Sequence, residues 1–322
     1  MLLKIPMNDL VQSPPIPAPA ATLILVRQKD DRLQVYLLKR STKSGFMAGK
    51  YVFPGGMVDP EDLDINFWVN HVDLDTKKIS GQLGQALSYQ EILPYCVAAI
   101  RETFEEAGVL LAVNGPQLDN TLHQLRSLRA GGRLSPDWLR QRIVSSGGVL
   151  SLSRLSCWSH WITPKLMKRR FDTRFFIAEM PPGQSCQPDE DETTHGIWVT
   201  PGEGLAGNLD GKIPLSPPTL VTLDQLLKFH GRDGLRAETA RRSWESPIMP
   251  RLVPLVDGVI ILEPWDPAYS RKEAVISPEF QANKKLPVGE PFSRLWHHED
   301  IWAPISNDNN AGQIRPNIDR SV

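Results

Sequence analysis

Near the start of the chain, Ala21-Thr22-Leu23-Ile24-Leu25-Val26 is an almost unbroken apolar run, the pattern of a strand buried on both faces. The polar pair Asp30-Asp31 separates it from a second run, Leu33 to Leu38, and the two predict a β-hairpin. Strands are also expected over 171–179 (FDTRFFIAE) and 196–200 (GIWVT). In the former, Phe171, Thr173, Phe175 and Ile177 alternate with Asp172, Arg174 and Phe176. Between these segments the period changes. From about 91 to 112, Leu93, Val97, Ile100, Phe104, Ala107 and Leu111 fall on one stripe at about 100° per residue, which predicts an amphipathic helix. Gly108 is placed to end it in a left-handed conformation. Another helix is expected from a cap at Thr222 through Leu223 to Phe229.

Alternating strands and helices favour a mixed α/β domain over residues 20–205. Residues 1–19 are Pro-rich and read as an arm, and about 63–92 reads as a polar insertion without a clear period. An extension over 206–322, carrying the apolar runs Leu252–Val256 and Val259–Leu262, is expected to pack on the domain. Capping a pocket and building a homodimer interface are both open roles for it.

Composition narrows the partners. The 36 Lys and Arg against 37 Asp and Glu give a net charge of −1, without the basic excess of a nucleic-acid domain. No stretch approaches the ~18 apolar residues of a membrane helix, so no membrane partner is expected. Cys96, Cys157 and Cys186 lie far apart, which indicates neither a zinc knuckle nor a disulfide framework. The N-terminus lacks a signal-peptide pattern and Arg320-Ser321-Val322 is not a peroxisomal address, so a cytoplasmic enzyme is expected. The seven histidines form no metal-spaced set, and most of the nine tryptophans read as core.

The candidate chemistry sits on the first helix, at Arg101-Glu102-Thr103-Phe104-Glu105-Glu106-Ala107-Gly108-Val109. Glu102, Glu105 and Glu106 fall opposite the apolar stripe, within an arc of about 100°. Like charges at that spacing repel unless neutralised, and Arg101 can pair with Glu105 but cannot balance all three. Solvation is the common fate of such a face. A hard divalent cation such as Mg²⁺ or Mn²⁺ is the alternative that oxygen ligands suit.

The run R-E-x-x-E-E-x-G resembles the second half of the Nudix box, G-x5-E-x7-R-E-U-x-E-E-x-G-U, with Thr103 and Val109 at the U positions. The first half fits in two registers, Gly55-x5-Glu61 and Gly56-x5-Asp62. Asp62 and Arg101 are separated by 38 residues where the pattern has seven. The chain is similar to the subgroup containing the animal peroxisomal acyl-CoA diphosphatase, which also splits its box. The runs Gly45 to Gly56, Arg170 to Phe176 and Trp198-Val199-Thr200-Pro201 carry that likeness.

This resemblance implies a Nudix α/β/α sandwich with a mixed sheet, and hydrolysis of a nucleoside diphosphate linked to another moiety. It implies Glu105 and Glu106 as metal ligands, Glu102 as a ligand or the group that places the nucleophilic water, and Arg101 as the holder of a glutamate. Gly56 would offer its carbonyl to the metal. A distant acid is expected from Asp189-Glu190-Asp191-Glu192, with Glu192 preferred.

CoA-cleaving members carry an upstream pattern, L-L-T-x-R-S/A-x3-R-x3-G-x3-F-P-G-G. It is matched here by Arg40, Ser41, Gly49 and Phe53 to Gly56, with Leu38 at the threonine and Gly45 at the second arginine. Arg40, Arg170 and Arg174 are the candidate substrate contacts, and the Lys168-Arg169-Arg170 cluster a candidate for the 3′-phosphate of CoA. The expected reaction is Mg²⁺- or Mn²⁺-dependent cleavage of CoA or acyl-CoA. ADP-ribose or NADH as substrate, and a Nudix-like binding module without catalysis, are the alternatives.

Overall fold

The computed structural model describes residues 14–85, 87–113, 118–132, 134–189, 192–255, 258–271 and 285–306, with backbone alone for 118–123. Most of the expected N-terminal arm lies outside these residues, and Ala18 and Pro19 already belong to the first strand. The chain begins with a hairpin of β1 (Ala18–Lys29) and β2 (Arg32–Arg40). Its turn places Asp30 and Asp31 at φ 50° and 57°, the left-handed pair that a two-residue hairpin loop requires. Then follow β3 (Tyr51–Val52), β4 (Gly55–Met57), the short helices α1 (Ile65–Trp68) and α2 (Thr76–Lys78), and a π-helical segment, Ile79–Gly84.

The long helix α3 spans Tyr89–Ala107. Its start is fixed by Ser88, whose backbone N–H and hydroxyl donate to Glu91 at 2.8 and 2.7 Å. Its end is fixed by Gly108 at φ 68°. It therefore starts two residues earlier than the apolar spacing suggests and stops at the glycine. After α3 come β5 (Ala112–Val113), α4 (Leu118–Ala130), α5 (Trp138–Ser146), β6 (Val149–Leu150), β7 (Ser156–Ile162), β8 (Phe171–Glu179) and β9 (Thr193–Val199).

The principal sheet has seven strands in the order β3-β2-β1-β8-β7, with β4 beside β1 and β9 beside β2. The β1–β8 pairing is parallel and the others are antiparallel, so the sheet is mixed, as expected. The centre of β1, Leu23 to Val26, is apolar because both faces are covered there. Leu23 and Leu25 pack with Ile92, Leu93, Val97, Ile100 and Phe104 of α3. Ile24 and Val26 pack with Leu205, Leu220, Leu223 and Leu226 on the other side.

That second layer is α6 (Pro201–Leu209) and α7 (Pro217–Leu226), followed by α8 (Arg232–Thr239). Helix α6 straddles residue 205. Helix α7 starts at Ser216, whose hydroxyl caps Thr219 ahead of Pro217, rather than at Thr222, which is buried within it. Beyond lies a four-stranded antiparallel sheet of β10 (Arg251–Leu255), β11 (Gly258–Leu262), β12 (Arg294–His298) and β13 (Ile301–Ile305). It docks through Asn208, which donates to the Trp302 carbonyl at 2.7 Å and accepts from the Leu215 amide at 2.9 Å. Asp300, at the β12–β13 turn, also pairs with the buried ammonium of Lys50 at 2.5 Å.

The segment expected to be irregular holds α1, α2 and the π-helical turn, and buries Trp68, Leu74, Ile79 and Leu83 against α3. No described helix is long and apolar enough to cross a membrane.

One buried group gives the C-terminal sheet a pH dependence. Glu263 is fully buried, neither carboxylate oxygen has a hydrogen-bond partner among the described residues, and burial raises its pKa from 4.5 to about 8. The folded chain thus holds a proton there that the unfolded chain has released, so stability falls as pH rises from about 4.5 to about 8. Glu263→Gln should flatten that fall in urea melts taken between pH 5 and 9. An unchanged pH slope would refute the assignment.

Candidate functional site

Arg101 organises the site. It is buried on α3, 3% exposed, yet its guanidinium donates in five directions. Nε and Nη2 hold Asp62 at 3.1 and 2.9 Å, Nη2 also donates to the Met57 carbonyl at 2.8 Å, and Nη1 donates to Glu102 at 2.9 Å and Glu105 at 2.8 Å. Asp62 is itself buried and accepts from the Asp59 amide at 2.8 Å, closing a turn at the end of the first half-box. Of the two registers, it is the acid of Gly56-x5-Asp62 that pairs with Arg101, and Glu61 does not.

The glycines complete the arrangement. Gly55 donates its backbone N–H to Glu106 at 2.9 Å. A β-carbon at Gly56 would fall inside the van der Waals envelope of the Glu102 carboxylate, so any larger residue there displaces that carboxylate. Both glycines pair with β1, opposite Thr22 and Ala21.

The carboxylates are shielded to different degrees, Glu106 fully and Glu102 and Glu105 in part. Burial pushes the Glu102 carboxyl up to about 8, opposed by Arg101 and reinforced by Glu105. Burial also raises Glu105, against the pull of Arg101 and Trp138. Glu106 is raised well above its usual range by burial, then by the charges of Glu102 and Glu192, with the Gly55 amide and Arg40 opposing. The same proximity places Glu192 near Glu106. Its backbone carbonyl also accepts from the Ser41 amide at 2.8 Å, joining the β8–β9 loop to the loop after β2. Glu190 and Asp191 lie outside the described residues.

Arg40 reaches the site from the end of β2: its Nη1 lies 3.9 Å from Glu106, and Ser44 steadies the guanidinium at 3.0 and 3.1 Å. The other two candidate arginines are elsewhere. Arg170 is buried, donating to the carbonyls of Thr163 (3.0 Å) and Pro15 (2.7 Å), so it braces the chain and is not presented to a substrate. Arg174 lies over Trp244 at 4.9 Å, among Asp172, Tyr95 and Glu91. Glu91 is about 16 Å along the helix axis from Glu102.

Two residues of the site escaped the sequence pattern. The Trp138 indole, from α5, donates to Glu105 Oε1 at 2.5 Å. Arg129, from α4, donates to the carbonyls of Glu105 (2.9 Å) and Gln187 (2.7 Å), closing the C-terminal end of α3. Neither lies at a fixed spacing from the box, so local sequence carries no signal for them.

The donor set fits a hard divalent ion. Arg101 and Arg40 face five carboxylates, Asp59, Asp62, Glu102, Glu105 and Glu106, a formal −3 when all are ionised. Among the described residues no three carboxylates already converge as a ligand cluster. Gly56→Ala tests the close approach: Glu102 must move aside, and turnover of a diphosphate substrate should fall at least tenfold while the melting temperature shifts little. Activity within twofold of wild type would contradict it.

Comparison with known proteins bears on the family and the fold. The family described as the NUDT19 Nudix domain matches residues 16–226. The acyl-coenzyme A diphosphatase NUDT19 of Xenopus laevis is 29% identical over 304 residues, covering 81% of this chain and 80% of its own length. The Homo sapiens protein of the same name is 27% identical over 308 residues, with 81% and 80% covered. A NUDIX hydrolase structure from Alicyclobacillus acidocaldarius superposes with a TM-score of 0.54 at 22% identity, covering 69% of this chain and 96% of that one.

Proposed function

The chain belongs to the NUDT19 Nudix-domain family and is a Nudix hydrolase; from that premise we propose that it cleaves the diphosphate of CoA or acyl-CoA, giving 3′,5′-ADP and (acyl-)4′-phosphopantetheine. The observation that carries the catalytic part is the buried Asp62–Arg101 pair aligning Glu102 and Glu105 beside Gly56 and Glu106. Nudix hydrolases generally use divalent metal ions. Glu105, Glu106, Glu102 and the Gly56 carbonyl are the groups that would hold Mg²⁺ or Mn²⁺ here. Once bound, the ion would neutralise diphosphate charge and acidify water.

The chain's own residues supply the rest. Glu102 has Oε1 tied to Arg101 and keeps Oε2 to orient the attacking water and take its proton. Glu192, on the facing loop, is the second acid for that water. Arg40 meets the anionic substrate next to Glu106, where a guanidinium forks onto phosphate oxygens. Water adds to one phosphorus, the bridging P–O bond breaks, and both products leave as phosphomonoesters.

The CoA reading rests on the named relatives, on Arg40, and on what stands beside Gly45. Arg169 is exposed in the turn before β8, over Phe171 at 5.3 Å, and its Nη1 lies 3.8 Å from where a side chain at 45 would begin. Within the Lys168-Arg169-Arg170 cluster, Arg169 is therefore the group suited to the 3′-phosphate, since Arg170 is buried. The reading includes a cytoplasmic address, which suits three free thiols.

A hydrolysis panel of CoA, acyl-CoA, ADP-ribose and NADH, with and without Mg²⁺ or Mn²⁺, tests this on wild type and Glu106→Gln. CoA should yield 3′,5′-ADP only with metal, and the variant should lose at least a hundredfold. A faster ADP-ribose or NADH reaction would sink the substrate assignment, and metal-independent turnover would sink the site assignment. Arg169→Ala should raise KM for CoA several-fold and leave KM for dephospho-CoA, which lacks the 3′-phosphate, unchanged. Equal shifts for both would remove Arg169 from the reading.

A further inference from the structure

Glu105 differs from the other box carboxylates in having both oxygens already held. Oε2 accepts from Arg101 at 2.8 Å and Oε1 from the Trp138 indole at 2.5 Å. Glu102 is held through Oε1 alone, and Glu106 takes the Gly55 amide on Oε2 while Oε1 faces Arg40 at 3.9 Å. Resting on the metal-site reading above, we infer that Trp138 is a positioning residue, fixing the rotamer in which Glu105 meets the divalent cation.

The indole is well suited to that task. It is 4% exposed and packs on Phe104 of α3 with ring centroids 4.7 Å apart. Its helix is anchored to the box insertion by Arg140, which pairs with Asp64 at 2.8 Å and lies over Phe67 at 4.1 Å. The N–H can only donate, so it selects one carboxylate orientation. A carboxylate oxygen has two lone-pair positions, so Oε1 keeps one for a ligand. A glutamate fixed in this way is ordered during folding, which removes that entropic cost from ion binding. Helix α5 thereby reaches the chemistry from outside the box motif.

The test is calorimetric Mn²⁺ binding to the whole chain in wild type, Trp138→Phe, Glu105→Gln, the double variant, Glu106→Gln and Trp265→Phe. Trp265 donates its indole to the Phe292 carbonyl at 2.9 Å, so its variant loses the same kind of bond outside the site. Trp138→Phe should weaken Mn²⁺ binding about tenfold, Trp265→Phe should leave it unchanged, and Trp138→Phe should add nothing once Glu105 is Gln. Should Trp138→Phe fail to fold, Glu105→Asp withdraws the carboxylate from the indole and carries the same tenfold expectation. Wild-type affinity in either variant, or a full further loss from Trp138→Phe in the Glu105→Gln background, overturns the inference. If Glu106→Gln weakens binding while Trp138→Phe does not, the inference fails alone. If wild type binds no Mn²⁺, the metal reading fails and takes the inference with it.

Discussion

A buried guanidinium is costly to desolvate unless its donors find acceptors. Arg101 meets that condition by collecting Asp62, Met57, Glu102 and Glu105 from two segments of chain. Removing one partner of such a pair typically costs about 3–5 kcal/mol, because the remaining charge is left uncompensated. The close approach of β4 to α3 and the turn at Asp59–Asp62 follow from this requirement. So does the alignment of two glutamates on one side of the helix. The carboxylates are thereby buried and crowded together; burial first, then repulsion from neighbouring carboxylates, raises the pKa values of Glu102 and Glu106.

The rest of the fold keeps the two halves of that arrangement in register. Strand β1 pairs with β4, and through it with the glycines, while α3 covers its odd-numbered face. On the even-numbered face, α6 and α7 supply the second layer, and the C-terminal sheet closes over them through Asn208. The Asp300–Lys50 pair ties that sheet to the loop that also carries Gly45 and Gly49, so the extension supports a segment leading directly into the site.

What could be read from the sequence divides along the range of the interactions. The β1–β2 hairpin, α3 and its glycine stop depend on neighbours in sequence, and pattern and capping residues reveal them. The Arg101–Glu105 contact is an i,i+4 relation and is equally visible. The partnership of Arg101 with Asp62 was legible only as one of two registers, because it bridges an insertion whose length the motif does not specify. Trp138 and Arg129 come from helices whose apolar spacing is weak, and they reach Glu105 only through tertiary packing. Arg170 and Arg174 mislead for a related reason: alternation along a strand says which face a residue takes but not what already occupies that face. The start of α7 is marked by Ser216 before two prolines, a stronger cap signal than the isolated Thr222.

The split box illustrates why such an interruption is tolerated at this position. Closing a loop of 38 residues rather than seven costs about 1.5 kcal/mol in loop-closure entropy, since the cost grows only with the logarithm of length. One well-buried large apolar side chain contributes about 1.5–3 kcal/mol, and this insertion buries Trp68, Leu74, Ile79 and Leu83 on α3. Its ends are fixed by Asp62 on one side and the Ser88–Glu91 cap on the other. The inserted residues add to the core between two anchored points, and neither anchor has to move. Arg140 reaching Asp64 goes further, joining the insertion to the helix that holds Glu105 through Trp138. A segment that lengthens the motif in sequence therefore stiffens the same site in space.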